Sequence, residues 1–394
     1  MLNAFVLKKI NSHFQFFKRE IFDILIIDDF LPATLSPWRT FEFSELIKRY
    51  PNSYVLSDLR NFRKYSQDKT FEQAVGHLSL DYPELASAIR PLKMFSNINA
   101  RLAYVVFFGN CRMYFPFFER HKIPFAFTLY PGGGFLLNNT AIDAEIKKVC
   151  HSKYFKGVIV NQELTKEYLL EKKLCLRNKI HVIPGVPINI KGYDTDKMIS
   201  PIGKVKEIVF VAHKYSAYGY DKGFDLFQLI AKYLLNMGHL LRFHVVGSFN
   251  QEDLMFRSLN SYFVFHGLIN ESDFARVFEN TQIVISPNRP FVLQEGAFDG
   301  FPLGSSISAG FHGNIMCLTD YFEEGKKSGW IDMENYMKIT IDPYESAKKI
   351  SELIQNPLLL KKLQRNSLVK LYENYSYKKQ IQSRLEFFDS IVKK

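Results

Sequence analysis

The sequence of 394 residues contains only four cysteines, and none of them lies in a recognisable metal-binding or redox pattern. Cys111, Cys150, Cys175 and Cys317 form no C-x-x-C pair and have no histidine at zinc-ligand spacing. This scarcity argues against a disulfide framework and against a zinc site. It fits a protein of a reducing compartment.

Long apolar runs are also missing, and no stretch reaches the length that a membrane-spanning helix needs. The beginning of the chain is rich in phenylalanine, but Lys8, Lys9, Lys18 and Arg19 interrupt it. It therefore lacks the unbroken apolar segment of a secretory signal. We expect a cytoplasmic protein, and the basic, apolar beginning adds the expectation of peripheral attachment to the inner face of the cell membrane.

Three familiar motifs are absent: G-x-x-x-x-G-K-[ST], G-x-G-x-x-G and G-x-S-x-G. Their absence argues against a P-loop nucleotidase, a simple dinucleotide-binding domain and a serine hydrolase. The triplet Asp194-Thr195-Asp196 has the spacing of a D-x-D metal signature, but it follows no predicted buried strand. We discount it, and we expect neither an essential metal nor a cofactor.

What the sequence does have is positive charge concentrated in its first half. The formal net charge is +11, and residues 1–200 hold 28 lysines and arginines against 19 acidic residues. This excess favours an anionic ligand or surface, although a solvated basic face without a partner explains it nearly as well. No recognisable nucleic-acid-binding module is present, so we expect no nucleic-acid partner.

Predicted strands and helices alternate along the chain, which is typical of parallel α/β sheets. Buried strand runs are predicted at 21–27, 102–108, 124–129, 157–160, 208–212, 242–247 and 282–286. The polar stretch 189–207 predicts a linker. We expect a first domain at 1–188, a second at 208–375, and a last helix at 376–394 that packs back toward the first domain.

Two segments of the second half predict a diphosphate site. Residues 208–225 (IVFVAHKYSAYGYDKGFD) read as a strand, a polar loop and a helix that begins at Lys222-Gly223. Residues 299–310 (DGFPLGSSISAG) read as a small-residue loop that leads into another helix. Helix N-termini offer unpaired N–H groups to anions, and a lysine adds a positive charge.

These and other segments resemble the family 4 nucleotide-sugar glycosyltransferases. Residues 158–169 (VIVNQELTKEYL) and 179–186 (KIHVIPGV) are similar to the end of the family's first domain and its exit to the linker. FVFHGL at 263–268 resembles its nucleobase loop, and DGFPL at 299–303 resembles its E-G-F-P-L. The resemblance implies the GT-B fold, in which two Rossmann-like α/β domains face a central cleft. It also implies sugar transfer with retention at the anomeric carbon.

The resemblance assigns the nucleotide-sugar donor to the second domain. It implies catalytic roles for Lys222, on the diphosphate, and for Asp299, on the sugar hydroxyls. The predicted donor site consists of His213, Lys214, Lys222, Gly223, Gly267, Leu268, Glu295, Gly300, Leu303, Gly304, Ser305 and Ser306. Alternatives stay open: His213 could be a loop histidine, Glu295 an exposed acid, and the serines ordinary helix caps.

The first domain is predicted to hold the acceptor, a glycan or a lipid-linked sugar. Arg39 is expected to bind an acceptor phosphate or carboxylate, Trp38 to stack on a sugar ring, and Tyr130 to face the same cleft. The run Gly132-Gly133-Gly134 is expected to bring the backbone close to the acceptor. A flexible loop is the alternative for that run.

The match departs from the family in four respects, the first of which concerns two glutamate positions. Asp299 stands where the family has Glu, and Ile307 stands where a second Glu holds the ribose. His213-Lys214 lies near the place of a missing arginine. The segment 36–39 (SPWR) replaces a Gly-Gly pair, and residues 128–130 (TLY) replace T-x-H.

We therefore expect a glycosyltransferase of a divergent subfamily with a TLYPGGGF segment, active in the synthesis of a surface polysaccharide such as a capsule or O-antigen. Two alternatives remain open at this point. One is a sugar-nucleotide epimerase of the same fold. The other is a non-catalytic protein that binds a glycan or a nucleotide, which the lost glutamate at Ile307 would favour.

Overall fold

The computed structural model describes residues 21–66, 69–92, 98–190 and 204–393, except for the side chains of Glu271 and Ser272. The phenylalanine- and lysine-rich beginning, most of the predicted linker and the Asp194-Thr195-Asp196 triplet lie outside these ranges. No helix within them is both long enough and apolar enough to cross a bilayer.

Seven parallel strands of the described residues form the first sheet, in the order β3-β2-β1-β4-β5-β6-β7. Their bounds are β1 Ile21–Asp28, β2 Tyr54–Ser57, β3 Ile89–Pro91, β4 Asn99–Val106, β5 Phe125–Leu129, β6 Phe155–Val160 and β7 Ile180–Val182. The central strands are almost wholly apolar because helices cover both faces of the sheet.

Six parallel strands within the described ranges form the second sheet, in the order β10-β9-β8-β11-β12-β13. Their bounds are β8 Glu207–Val211, β9 Arg242–Val246, β10 Phe263–Gly267, β11 Ile283–Ser286, β12 Ile315–Leu318 and β13 Met337–Lys338. A hydrophobic cluster lies on each face of this sheet too. The prediction of two parallel-sheet α/β domains is confirmed.

The helices lie on both faces of the sheets. Their bounds in the described chain are α1 Pro37–Arg49, α2 Arg60–Tyr65, α3 Phe71–Leu78, α4 Pro83–Ala88, α5 Phe108–His121, α6 Thr140–Cys150, α7 Glu163–Glu171, α8 Phe224–Asn236, α9 Glu271–Asn280, α10 Gly304–Phe311, α11 Glu324–Ser328, α12 Pro343–Ile354, α13 Pro357–Tyr375 and α14 Ser383–Val392.

Some bounds differ from the predicted ones. The strand predicted at 102–108 ends at Val106, because Phe107 has a φ of 71° and α5 begins directly after it at Phe108. Helix α6 was not predicted, although Asn139 caps it by accepting a hydrogen bond from the Ile142 N–H.

The last helix crosses from the second domain to the first. Helix α13 packs in the second domain, a π-helical turn spans Lys378–Gln382, and α14 then lies against the first sheet. The ring of Phe388 on α14 is 4.8 Å from that of Tyr104 on β4. The C-terminal helix is thus part of the first domain's core.

A buried charge fixes this crossing. The Arg384 side chain is 1 % exposed and donates to the Gln380 carbonyl at 2.9 Å and to the Tyr130 hydroxyl at 3.1 Å. Its Nε lies 3.5 Å from Oε2 of Glu42, whose side chain is equally buried and also accepts from Tyr104. Two buried charges of opposite sign therefore join α14 to α1 and β4.

We predict that Arg384→Met destabilises the protein by about 3–5 kcal/mol, because it leaves the Glu42 carboxylate buried without its cation. The free energy of unfolding is measured by urea denaturation. Arg49→Met is the matched control: Arg49 also pairs with α14, through Asp389 at 2.6 Å, but on the surface. A loss no larger for Arg384→Met than for Arg49→Met would contradict the buried-pair explanation.

Candidate functional site

The candidate site lies where the strand order of the second sheet reverses direction. Strand β8 lies beside β11 at this point. The chain leaves β8 toward β9 on one side, and it leaves β11 toward β12 on the other side. Loops after two neighbouring strands at such a point diverge and leave a crevice at their carboxyl ends. The loops here are residues 212–223, after β8, and 287–303, after β11. They carry most of the predicted donor residues.

Lys222 and Asp299 meet across this crevice. The Lys222 Nζ lies 2.8 Å from both Asp299 carboxylate oxygens and 3.9 Å from Oδ2 of Asp221. The Lys222 side chain is 10 % exposed, whereas that of Asp299 is 30 % exposed. The sequence predicted both residues for the site, and the structure adds that they form an ion pair with each other.

Asn288 is a member of this cluster that the sequence analysis did not identify. Its amide Nδ2 donates to Oδ2 of Asp299 at 2.7 Å, and its Oδ1 accepts from the Ser286 hydroxyl at 2.8 Å. Asn288 thereby fixes the orientation of the Asp299 carboxylate. Its position two residues after β11 was the available signal, because polar groups at strand ends gather at this edge.

The backbone requires a glycine at position 223. It has a φ of +69°, and a Cβ there would lie 2.0 Å from the Pro287 carbonyl oxygen. Only glycine tolerates both conditions. Because Gly223 is the N-cap of α8, this close approach brings the loop that ends at Lys222 against the loop after β11.

Helix α10 begins at the same edge. Its N-cap is Leu303, and the Ser305 hydroxyl approaches the carbonyl of Val211, the last residue of β8, at 3.5 Å. The first amides of a helix have no partner within it, so those of Gly304, Ser305 and Ser306 are directed at this edge. The Ser306 side chain is fully buried, and its hydroxyl has no hydrogen-bond partner among the described residues.

The glycines of this loop also face the first domain. A Cβ on Gly300 would lie 3.1 Å from the Asn161 amide nitrogen, and one on Gly304 would lie 2.7 Å from a methyl group of Val186. The Phe301 N–H donates to Oε1 of Gln162 at 3.2 Å. The small residues therefore allow the strand ends of the first domain to pack closely, which the sequence analysis did not anticipate.

Glu324 makes a second contact between the domains. Its carboxylate accepts from the backbone N–H groups of Glu163 at 2.7 Å and Leu164 at 3.0 Å, at the start of α7. Burial raises the pKa of the Glu324 carboxyl, and these two donors oppose the shift. A negative charge at a helix N-terminus is favourable, so the carboxylate of one domain caps a helix of the other.

The two residues near the place of the missing arginine have protein partners. The Lys214 Nζ lies 2.8 Å and 2.9 Å from the Asp253 carboxylate oxygens. The His213 ring contacts the Tyr65 hydroxyl of the first domain at 3.2 Å and the Ser248 hydroxyl at 3.3 Å. Burial lowers the pKa of His213, and nearby Lys64 and Lys222 lower it further.

The remaining predicted donor residues lie around the crevice. The Gly267 carbonyl accepts from the Gly247 N–H at 2.9 Å, and Leu268 is 40 % exposed. Leu268 and Tyr65 line a cavity of about 260 Å³ between the domains. Glu295 is exposed on the loop after β11. Their roles in donor binding stay predictions.

Two of the predicted acceptor residues, Arg39 and Tyr130, are buried and do not face an open cleft, which corrects the sequence analysis. Arg39 is 6 % exposed, and its Nη1 pairs at 2.7 Å with both Asp28 and Asp29 at the end of β1. Burial opposes ionisation of Asp29, but Arg39 outweighs it and lowers the pKa of that carboxyl. Arg39 is thus already satisfied by two carboxylates.

Tyr130 is likewise 3 % exposed, with its hydroxyl on Arg384 and its ring 5.1 Å from that of Trp38. Gly132-Gly133-Gly134 has positive φ at each residue. A Cβ on Gly133 would collide with the Phe107 ring at 2.3 Å, and the Gly133 carbonyl accepts from Gly109 at the start of α5. The close approach is therefore to the protein's own helix, and acceptor contact by this run stays a prediction.

No group of three or more metal-ligating side chains is gathered anywhere in the described ranges. The four cysteines are buried free thiols. The chemistry that the site offers is therefore a lysine, a carboxylate and helix-terminal amides in a crevice between two domains.

Comparison with known proteins supports this geometry only at the level of the fold. A scan of protein-family models finds no match to the sequence, and a search of curated proteins finds no similar chain. Solved structures do match. A glycosyltransferase from Rickettsia africae superposes with a TM-score of 0.64 at 15% identity, over 95% of this chain and 99% of that one.

Two further structures contain bound ligands. HepE of Anabaena, solved with UDP and glucose, gives a TM-score of 0.67 at 11% identity over 94% of this chain and 100% of its own. TarM of S. aureus, solved with UDP, α-GlcNAc-glycerol and fondaparinux, gives 0.56 at 16% identity over 73% of this chain. The present chain spans 55% of TarM. The fold is GT-B.

We predict that His213→Asn makes the protein less sensitive to acid. Because the pKa of His213 is lowered in the folded state, the unfolded chain binds the proton more readily. Stability from this residue is therefore present above the ordinary histidine pKa of about 6.5 and is lost as the pH falls below it. The fall in unfolding free energy between pH 7.5 and pH 5.5 should be smaller in the variant.

The asparagine amide reaches the place of Nδ1 and can keep the hydrogen bond to Ser248, but it does not reach the place of Nε2 and loses the contact with Tyr65. Because the loss of that contact affects both pH values, the comparison between them isolates the proton. The same substitution at the exposed His77 is the control. An unchanged pH response of His213→Asn would contradict the prediction.

Proposed function

We propose that this protein is a glycosyltransferase that moves a sugar from a nucleoside-diphosphate sugar to a hydroxyl of a glycan or of a lipid-linked acceptor. The observation that carries the proposal is the Lys222–Asp299 pair at the reversal point of the second sheet, beside the start of α10. The GT-B fold, and the UDP bound in HepE and TarM, support it.

The donor diphosphate would take the place of Asp299 as the partner of Lys222. A buried lysine and unpaired helix amides stabilise the charge that develops on the departing diphosphate, and they need no reorganisation during the reaction. Asp299, released from Lys222, would accept hydrogen bonds from the hydroxyls of the donor sugar. In this proposal Lys214 adds a second positive charge to the site, and His213 adds a hydrogen-bonding imidazole.

The reaction proposed is substitution at the anomeric carbon with retention. The bond from that carbon to the diphosphate oxygen breaks, a bond to the acceptor oxygen forms, and the donor phosphate takes the acceptor proton. Contacts between the domains, through Gln162 and Glu324, exclude water from the crevice and so limit hydrolysis.

Finer assignments rest on the sequence resemblance. We propose membership of a divergent branch of family 4 and a role in surface polysaccharide synthesis. Peripheral attachment to the inner membrane surface is proposed from the basic first half and from the beginning of the chain, which lies outside the described residues.

Lys222→Ala is expected to abolish stabilisation by nucleotides. A thermal-shift panel of UDP, GDP, ADP, CMP and dTDP should contain at least one ligand that raises the melting temperature of the wild type. A ligand at one hundred times its Kd adds about 2.7 kcal/mol to the unfolding free energy. Lys361→Ala, on the exposed face of α13, is the control and should retain the shift. Failure of the whole panel on the wild type would contradict the proposed function.

Asp299→Asn should separate binding from turnover. The substitution removes a negative charge that competes with the diphosphate for Lys222, so the Kd of the stabilising nucleotide should fall several-fold. Release of nucleoside diphosphate from the sugar nucleotide should decrease at the same time, because the amide is a weaker acceptor for sugar hydroxyls. Weaker nucleotide binding by this variant would show that Asp299 does not act as the competing anion.

A further inference from the structure

An exposed apolar surface lies beside the Lys222–Asp299 pair and has no role in the function proposed so far. We call it the aromatic rim. It consists of Phe291, Val292 and Leu293 on the loop after β11 and Tyr321 on the loop after β12. These side chains are 43%, 41%, 49% and 61% exposed. Adjacent apolar side chains of this size are typical of a binding surface.

The two aromatic residues of the rim are held from beneath. Phe291 and Tyr321 both contact the Phe322 ring edge to face, at centroid distances of 5.9 Å and 5.2 Å. Phe322 contacts Phe298 at 5.7 Å, and Phe298 contacts Phe135 of the first domain at 5.6 Å. Because each ring packs on the next, the exposed faces are held in place rather than free to collapse onto the surface.

Phe291 also has an unfavourable backbone conformation. Its φ is +68°, and its N–H donates to the Ala297 carbonyl at 2.6 Å. A left-handed conformation is unfavourable for a residue other than glycine. Such conformations often occur at functional sites, and here one is found at a residue whose ring is partly exposed.

A polar cavity connects the rim to the candidate site. It measures about 40 Å³ and is lined by Tyr321 and Phe322, by Asp299 and Asn288, and by Gln162 of the first domain. Gln162 is 5 % exposed, and its Nε2 has no hydrogen-bond partner among the described residues. The cavity has room for two or three water-sized groups, so it fits the hydroxyl edge of a sugar and not a whole ring.

The charges around the rim argue for a glycan rather than a membrane. The three cations of segments 288–299 and 319–328 are each paired with a carboxylate: Arg289 with Asp225, Lys326 with Glu323 and Lys327 with Glu167. An anionic lipid surface attracts a basic patch, which this is not. A sugar offers an apolar ring face and polar edges, which match an aromatic ring beside amide and carboxylate groups.

We propose that the aromatic rim and its cavity form a binding site for the acceptor and that the acceptor is an oligosaccharide chain. The sugar nearest the reaction presents hydroxyls to Gln162 and Asn288 in the cavity, and the next sugar stacks on Tyr321 and Phe291. The proposal rests on the proposed transfer function. It locates the acceptor on the donor domain, away from the buried Arg39 and Tyr130.

The test measures binding of fluorescently labelled cellohexaose, maltohexaose, chitohexaose and mannohexaose by anisotropy, with the stabilising nucleotide present at saturation. At least one hexaose should bind the wild type, and its labelled monosaccharide should bind at least about tenfold more weakly. Tyr321→Ala and Phe291→Gly should each weaken hexaose binding about tenfold, the effect of one lost ring contact. In Phe291→Gly, relief of the positive φ opposes the loss of ring packing on Tyr321 and Phe322, so the melting temperature is measured beside binding to show that the variant stays folded.

Controls separate this proposal from the one on which it rests. Tyr344→Ala, an equally exposed tyrosine on α12, should bind hexaose like the wild type. The nucleotide shift should persist in all three variants, so a lost nucleotide shift would point to the donor site instead. The proposal is overturned if no hexaose binds the wild type or if both rim variants bind hexaose like the wild type. Binding to phosphatidylglycerol vesicles is compared in parallel, and a loss confined to vesicle binding in the rim variants would also overturn the proposal.

Discussion

The buried contact of Arg384 with the first domain is the constraint on which the relation of the two domains depends. A guanidinium is stable in a protein interior only where several acceptors surround it. Tyr130 and Gln380 supply the hydrogen-bond acceptors, and Glu42 supplies the opposite charge at 3.5 Å. The Gln380 amide in turn donates to the Pro184 carbonyl. Because Arg384 follows the second domain in sequence, satisfying it requires the chain to return across the junction.

The loop from Asp299 to Leu303 then serves two purposes. One end carries the carboxylate that pairs with Lys222, and the other leads into α10. Between them, Gly300 and Phe301 contact Asn161 and Gln162 of the first domain. In the proposed function, a movement of Asp299 on donor binding would therefore also shift these contacts between the domains. A junction built on hydrogen bonds and a helix cap, through Glu324, can reform after each such movement at modest energetic expense.

The parts of the fold that sequence predicted are those that local pattern determines. Buried runs of Ile and Val set the strands of both sheets, and their alternation with helices set the fold class. The bounds failed where a single backbone conformation decides, as at Phe107. Lys222 and Asp299 were identified because each lies in a segment with a recognisable motif, whereas Gln162 and Glu324 act through partners in the other domain. No spacing rule reports such contacts.

For the predicted acceptor residues, the sequence indicated the chemistry correctly but not the binding partner. Arg39 was predicted to bind an anion because of its chemistry, and it does bind anions, but they are Asp28 and Asp29 of its own domain. Sequence shows that a cation is present without showing whether the fold already neutralises it. The glycine run presented the same difficulty, since it implied a close approach, and the structure identified α5 as what is approached.

Neutralisation of Lys222 by Asp299 differs from that of Arg39 in one physical respect. Arg39 is enclosed by two carboxylates that are both nearly inaccessible, so exchanging either would expose a buried charge. Asp299 is 30 % exposed and can turn toward solvent, whereas the Lys222 side chain, at 10 % exposed, then needs another anion in its place. An anion with more charge than one carboxylate is suited to that exchange. This difference in the accessibility of the counterion is why we propose Lys222 as a binding group and regard Arg39 as a structural one.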